Sequence, residues 1–197
     1  MQKMTQTIQR FHPLVKTSGP LRHIDLSGGY DPDALKGGDW GVGGYAEARP
    51  GMYTSHIFGG RRFIHMGIDI WAPAGTPVYC FCDGTVLGLR DNDNPLDYGP
   101  TIVTAHEIDG RELYALHGHL SHECLKRLAP GRQVNAGDVL GDLGTEQENG
   151  GWAPHLHFQL SRIKPLVPDM PGVVAPEELE EALQTYPDPR TILGPLY

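Results

Sequence analysis

The segment TIVTAHEIDGRELYALHGHL, residues 101–120, reads as two β-strands joined by a tight turn. β-branched and aromatic residues are frequent on either side of Asp109-Gly110, a pair that favours the positive φ of a short hairpin turn. Similar runs lie before and after this hairpin: TPVYCFC (76–82), GTVLGLR (84–90), DVLGDLG (138–144) and HLHFQLS (155–161). Short strands at a spacing of roughly 8–12 residues predict a mainly β fold, an antiparallel sheet or sandwich with long loops.

The segment from Ala175 to Tyr186 follows a different pattern. Pro176 suits the first turn of a helix, and two glutamates follow it near the positive end of the helix dipole. Apolar residues then repeat at helical spacing until Pro187, which ends the pattern. We therefore predict one short C-terminal helix.

The N-terminal part of the chain, residues 1–48, is rich in Gly, Asp and polar side chains. Its run SGGYDPDALKGGDWGVGGY (27–45) indicates extended loop. The sequence thus divides into a loop-rich extension, a domain over residues 49–163 and a C-terminal tail over residues 164–197 that carries the helix.

Composition restricts the class of partner. The 197 residues include 16 Lys and Arg against 24 Asp and Glu, a formal charge of −8, which argues against a nucleic-acid or anionic-membrane partner. No apolar stretch approaches the roughly 18 residues of a transmembrane helix, and no secretory signal is recognisable. We expect a cytoplasmic protein, or a periplasmic or secreted one if a signal segment has been removed. The three cysteines, at irregular spacing, predict small buried side chains and no disulfide framework.

Histidines carry the candidate chemistry, because several of the ten lie beside a carboxylate or a second histidine. His155 and His157 share one face of a predicted strand, about 6.6–6.8 Å apart along it, so one can bind a metal ion while the other reaches its open side. His65 and Asp69 offer a nitrogen and an oxygen ligand where a loop leads into a strand. His117-Gly118-His119 is a third such element. Two histidines and an aspartate suit Zn²⁺ and leave a fourth position for water.

Four stretches contain these residues in a recognisable order: HMGIDIWAPAGTPVYCFCDGTVLGL (65–89), LHGHLS (116–121), VNAGDVLGDLG (134–144) and PHLHFQL (154–160). Together they resemble the signatures of the M23 family of lysostaphin- and LytM-like zinc endopeptidases, over roughly residues 60–161. The resemblance implies the antiparallel, β-sandwich-like LytM/M23 fold and makes residues 49–163 a zinc peptidase domain.

The resemblance also implies a role for each matching residue. His65, Asp69 and His157 are expected to bind Zn²⁺, whereas His119 and His155 are expected to be catalytic. A zinc-bound water is then the nucleophile. One of the two catalytic histidines takes its proton, and the other stabilises the oxyanion that forms on the substrate.

Two departures from the family pattern and one further histidine bear on the site. His117 stands where the family usually has tyrosine, and we interpret it as a strand residue beside the site in preference to a direct role. His106, on the preceding strand, is interpreted as structural or as part of the rim. The turn GTEQENGGWAP (144–154) is longer and more acidic than in the family and is predicted to line the cleft.

Two further stretches, YAEARPGMYTSHIFGGRR (45–62) and YPDPRTILG (186–194), resemble a subgroup of M23-like modules. Members of this subgroup lack a secretion signal and accompany kinase and aminotransferase modules. In that interpretation Arg49 and Tyr53 hold a substrate carboxylate. An ion pair between Arg49 and a nearby acid is the alternative that we favour.

Three functions follow as hypotheses. The first is a zinc-dependent peptidoglycan endopeptidase, which the motifs favour. The second is a cytoplasmic zinc hydrolase of a small peptide, amide or amino-acid derivative, which fits the missing signal and the unusual loop. The third is a non-catalytic binding module with a retained metal site. The first two share a peptide-like substrate and require zinc.

Overall fold

Short β-strands make up most of the regular structure in the computed structural model, which describes residues 11–29, 31 and 40–197. In chain order the strands are β1 (Arg22–His23), β2 (Gly41–Gly43), β3 (Glu47–Ala48), β4 (Ile64–His65), β5 (Ile68–Trp71), β6 (Pro77–Tyr79), β7 (Gly84–Asn92), β8 (Gly99–Ile108), β9 (Arg111–Gly118), β10 (Gln133–Val134), β11 (Val139–Asp142), β12 (His155–Ser161) and β13 (Val173–Val174). The helices are α1 (Cys124–Arg127), α2 (Leu179–Thr185) and α3 (Arg190–Leu193), with 3-10 turns at His56–Phe58 and Pro176–Glu178.

The main sheet has eight strands in the order β1-β2-β5-β12-β9-β8-β7-β10. Every neighbouring pair is antiparallel except β1 and β2. Strands β8 and β9 form the hairpin read from the sequence, and its turn residues Asp109 and Gly110 have φ values of 51° and 72°. The predicted mainly β, antiparallel fold is confirmed.

The main hydrophobic core lies against one face of this sheet. Side chains alternate along β12, so Leu156, Phe158 and Leu160 enter this core while the residues between them face the opposite side. The separate two-stranded antiparallel sheet of β6 and β11 supplies Val78 and Leu140 to the same core. Each fully buried side chain of this size stabilises the fold by roughly 1.5–3 kcal/mol. The core thereby fixes which face of β12 presents its histidines.

Segments on both sides of residues 49–163 join the sheets. Strand β2 pairs with β5 and lies within the predicted loop over residues 27–45, of which residues 30 and 32–39 lie outside the described residues, as do residues 1–10. A Cβ on Gly43 would lie 2.6 Å from the Trp71 ring, so the glycine permits close packing of the two strands. In the C-terminal segment β13 pairs with β4, in a three-stranded sheet that also contains β3.

The predicted C-terminal helix is confirmed as α2 with the 3-10 turn before it. It ends at Thr185, ahead of Pro187, which cannot continue the helical hydrogen bonds. All three cysteines are free, and two of them, Cys80 and Cys124, are buried. Among the described residues no helix has the length and apolar character needed to span a membrane.

Candidate metal centre

The main sheet brings Asp69 and His157 face to face. They are register partners on the antiparallel strands β5 and β12. His65 ends β4, immediately before the chain enters β5 through Met66-Gly67. A Cβ on Gly67 would lie 2.5 Å from Cε1 of His157, so only glycine lets the backbone pass this close to the ring. The spacing between His65 and Asp69 therefore includes an obligatory glycine.

Three ligand atoms form a small triangle at this point. Nε2 of His65 lies 2.9 Å from Nδ1 of His157, and the Asp69 Oδ1 atom lies 3.2 Å and 3.1 Å from them, respectively. Tetrahedral coordination with Zn–N and Zn–O bonds of about 2.0–2.1 Å requires ligand atoms about 3.3 Å apart. The triangle therefore has the size of one face of a zinc tetrahedron.

Hydrogen bonds on the far side of each ring assign the tautomers. Nδ1–H of His65 donates to the carbonyl of Gly44 at 2.8 Å, and Nε2–H of His157 donates to Oε1 of Gln159 at 3.0 Å. The Gln159 amide is itself oriented, because its NH₂ donates to the carbonyl of Pro171. Both nitrogens that face Asp69 therefore carry lone pairs and no proton. Three acceptors at this distance repel one another unless a cation lies between them, so the residues fit a metal ion.

Arg49 fixes the other oxygen of the Asp69 carboxylate. The guanidinium is fully buried and pairs with Asp69 Oδ2 at 2.6 Å and with Glu47 Oε2 at 2.5 Å, while Tyr53 Oη accepts a hydrogen bond at 3.2 Å. An Arg49 ion pair with a nearby acid, the alternative favoured from the sequence, is thus observed. Nη2 of Arg49 has no partner among the described residues. With Oδ2 held by Arg49, only Oδ1 of Asp69 is directed at the two histidines.

Electrostatics keep the Asp69 carboxyl group charged and the His65 imidazole neutral. Burial alone would raise the pKa of Asp69, but His65 and Arg49 outweigh it and hold that pKa well below its usual range. Burial and then the positive charge of Arg49 lower the pKa of His65 to about 4. At neutral pH the site therefore offers a carboxylate and an unprotonated imidazole, the forms that bind metals.

His119 and His155 lie beside this triangle with their rings 4.0 Å apart. His119 donates Nδ1–H to the carbonyl of Asn149 at 3.0 Å, and His155 donates Nδ1–H to that of Ala153 at 2.7 Å. Nε2 of His155 lies 3.8 Å from Oδ1 of Asp69. Burial is the main cause that lowers the pKa of both histidines. Each ring is thus neutral near pH 7, with Nε2 able to accept a proton.

The backbone of His119 is unusual. Strand β9 ends at Gly118, and His119 adopts φ 62°, a conformation that non-glycine residues seldom take. Two backbone hydrogen bonds hold it there: its N–H donates to the Tyr98 carbonyl, and its carbonyl accepts from the N–H of Gly144, both at 2.9 Å. Strain of this kind is concentrated at functional sites, and here it turns the His119 ring toward His155.

The turn before β12 positions both of these rings. It supplies the carbonyls of Asn149 and Ala153, and the Asn149 side chain accepts a hydrogen bond from the N–H of Trp152. Trp152 also lines a cavity of about 210 Å³ beside the five predicted residues. The turn therefore contributes an indole and two carbonyls to the site, whereas its glutamates are not among the cavity residues.

The five predicted site residues lie together, and each is 2–5% exposed. His117 and His106 do not join them. His117 packs on Phe158 in the core, and His106 contacts Thr104 and the Asp83 carbonyl.

Sequence reasoning missed Gln159 and Tyr98 as neighbours of the site. Oη of Tyr98 lies 3.4 Å from Nε2 of His157. Gln159 follows His157 by two positions on β12, so strand alternation could have identified it. No pattern in the sequence indicated Tyr98.

Comparison with known proteins places this site in a family. The model of Peptidase family M23 matches residues 63–168. The chain is 34% identical over 96 residues to DD-carboxypeptidase/endopeptidase Mpg of Neisseria meningitidis and 33% identical over 96 residues to peptidoglycan DD-endopeptidase ShyA of Vibrio cholerae. Each match covers 49% of this chain and 20% of the relative, so the chain corresponds to a fifth of their length.

A solved structure gives a further likeness. The catalytic domain of the antimicrobial peptidase lysostaphin from Staphylococcus simulans is 22% identical, with a TM-score of 0.46, over 77% of this chain and 98% of that domain. Since the M23 family model covers more than half of the chain, including all five of the clustered residues, the protein is a member of peptidase family M23.

Proposed function

We propose that the protein is a zinc-dependent peptidase that hydrolyses a peptide bond at the cluster of His65, Asp69 and His157. The observation that carries the proposal is the convergence of three lone pairs, from two neutral imidazoles and one carboxylate, at mutual distances of 2.9–3.2 Å. A divalent cation relieves their repulsion. A donor set with two nitrogens favours Zn²⁺ over Mg²⁺ or Ca²⁺, which prefer oxygen ligands.

These three residues would hold the ion, with Gly44 and Gln159 orienting the two imidazoles from behind. When bound, Zn²⁺ would supply Lewis acidity, which lowers the pKa of a water molecule and polarises a substrate carbonyl. Arg49 offsets one negative charge of the site through Asp69, so a bound cation keeps more of its own positive charge for this task.

The two remaining histidines supply proton transfer. His155 is the better placed proton acceptor, because the Asp69 carboxylate 3.8 Å from its Nε2 favours the protonated ring. Its Nδ1–H is held by the Ala153 carbonyl, so a proton taken from water arrives on Nε2 and leaves from the same atom to the departing amine. His119, when protonated on Nε2, can stabilise the carbonyl oxygen as negative charge develops there.

Peptidoglycan peptides are the first substrate class that we propose. Family membership and the two relatives named for DD-peptide bonds support it. A small peptide or amino-acid derivative is the second candidate. It is favoured by one feature of this chain: the clustered residues are almost fully buried beside a cavity of only about 210 Å³.

Hydrolysis of stem peptides and cross-linked muropeptides, followed by mass spectrometry, tests the proposal. We expect cleavage that a chelator abolishes and added Zn²⁺ restores. Cleavage that persists after complete metal removal would contradict a zinc-dependent reaction. Bound zinc without hydrolysis of any peptide would instead favour the non-catalytic binding module.

A further inference from the structure

The cavity beside the metal centre has an aromatic wall formed by two separate segments. Tyr53 packs on Phe58 with ring centroids 5.1 Å apart and on Trp152 with centroids 6.2 Å apart. Tyr53 and Phe58 precede β4, whereas Trp152 precedes β12, and all three line the cavity. The rings thus join the segment before β4 to the segment before β12 where both line the cavity.

Arg62 is a second feature of the same cavity. It is half-buried, and it also lines a neighbouring groove that shares Phe58, Pro171 and Val173 with the cavity, so it lies where the two meet. Its Nε–H donates to the carbonyl of Phe58 at 3.3 Å, and its Nη2 donates to the carbonyl of Ile57. These two bonds orient the guanidinium and leave its Nη1 edge available.

The charge of Arg62 is not compensated in the way that the charge of Arg49 is. Arg49 pairs with two carboxylates, whereas the described part of the chain places no carboxylate within ion-pair distance of Arg62. An oriented, half-buried guanidinium without an acidic partner suits a carboxylate of the ligand, because the pair forms short charge-assisted hydrogen bonds. Asp97 and Asp169 also line the cavity and disfavour a carboxylate beside them.

We propose that Arg62 binds the free α-carboxylate of the residue that leaves on hydrolysis, so that the enzyme removes C-terminal residues from short peptides. The cavity of about 210 Å³ favours a small group on the acyl side, and the carboxylate at Arg62 sets the position of the scissile bond. Water adds to the carbonyl carbon, the C–N bond breaks, and the amino acid departs with a proton on its amine. This inference rests on the proposed peptidase function and names its substrate class.

Two matched probes test it: an acetylated dialanine with a free carboxylate and its C-terminal amide, each in the L,L and D,D forms. In the zinc-loaded wild-type protein we expect hydrolysis of one free acid with kcat/KM about 30-fold above that of its amide. Arg62→Gln should raise KM for the acid by a similar factor and remove the preference. Arg61→Gln, at an exposed neighbour paired with Glu177, should keep it.

Binding measurements make the inference independent of turnover. Calorimetry with zinc-loaded His119→Ala protein should show tighter binding of the acid than of the amide, and the added Arg62→Gln change should remove the difference. Equal binding or hydrolysis of acid and amide by the wild-type protein would overturn the inference. An Arg62→Gln variant that loses the same factor of affinity for both probes would also overturn it, because that result indicates a structural role. Preference for the acid without zinc-dependent cleavage would instead retain Arg62 as the anchor and reject the peptidase function.

Discussion

The motifs His117-Gly118-His119 and His155-Leu156-His157 have the same spacing, but their histidines lie in different surroundings. Both rings of the second motif face the metal centre, because β12 continues through it and side chains two apart share a face. In the first motif β9 ends at Gly118, and the positive φ of His119 breaks the alternation. His119 therefore reaches the centre while His117 stays in the core.

Hydrogen bonding separates the two classes of histidine as well. His65, His119 and His155 each donate one ring N–H to a backbone carbonyl and direct the other nitrogen at the site. Neither nitrogen of His117 has a partner at hydrogen-bonding distance among the described residues. Burial and the nearby His106 lower the pKa of His117 to about 3, opposed by a smaller interaction with the Ile102 backbone. An oriented ring with one open nitrogen thus distinguishes these three histidines from His117.

The largest effect is expected at His119. His119→Ala should lower kcat by about 10²–10⁴, the usual contribution of a positioned acid–base group, while zinc stays bound. His117→Leu, two positions away, should leave kcat unchanged. Steady-state kinetics with metal analysis of both variants make the comparison. Equal losses in the two variants would contradict the division of roles within this motif.

A smaller effect is expected at Arg49, which holds Oδ2 of Asp69. Arg49→Met should weaken zinc binding by about 10–100-fold, as when a group that orients a ligand is removed. Arg61→Met is the matched control, because Arg61 is exposed and forms its ion pair with Glu177, away from Asp69. Competition with a chelator of known affinity measures both constants. Unchanged affinity in folded Arg49→Met protein would show that Asp69 needs no orienting partner.

The smallest effect concerns His117 and stability. Its folded-state pKa of about 3 lies below the ordinary value of 6.5, so as the pH falls the unfolded chain takes up the proton first. The contribution of neutral His117 to the free energy of unfolding is complete above pH 6.5 and is lost as the pH falls toward 3. Between pH 7 and pH 5 this amounts to about 2 kcal/mol of the free energy of unfolding. His117→Leu should remove that part of the dependence, measured by urea unfolding of metal-free protein at both pH values; an unchanged slope would mean that His117 is not neutral in the folded state.

Strand periodicity and turn chemistry predicted much of this molecule. The β8–β9 hairpin follows from local preferences of Asp109-Gly110 and its flanks, and α2 follows from Pro176 and the helical spacing after it. The five clustered residues were predicted from the resemblance of their motifs to the M23 signatures. Local patterns suffice in these cases because neighbouring residues in the chain decide the structure.

Long-range pairing decided the rest. Strand β2 is Gly-Val-Gly, which has little intrinsic preference for a strand, and it forms because Gly41 lets it pack beside Ile24 and Gly43 beside Trp71. The contact of Arg49 with Asp69 could not be assigned from local sequence, since Asp69 lies 20 positions away, although its other partner Glu47 is a near neighbour. The backbone turn at His119 likewise depends on contacts with Tyr98 and Gly144, which no local signal specifies.

Zinc content of three proteins prepared without chelator tests the central claim most directly. The wild-type protein and His155→Ala should each bind about one equivalent of zinc, and His157→Ala should bind almost none, because His157, and not His155, forms the ligand triangle with His65 and Asp69. Zinc retained in His157→Ala but lost in His155→Ala would contradict the ligand assignment. Absence of zinc from the wild-type protein, even after incubation with the metal, would contradict the metal centre itself.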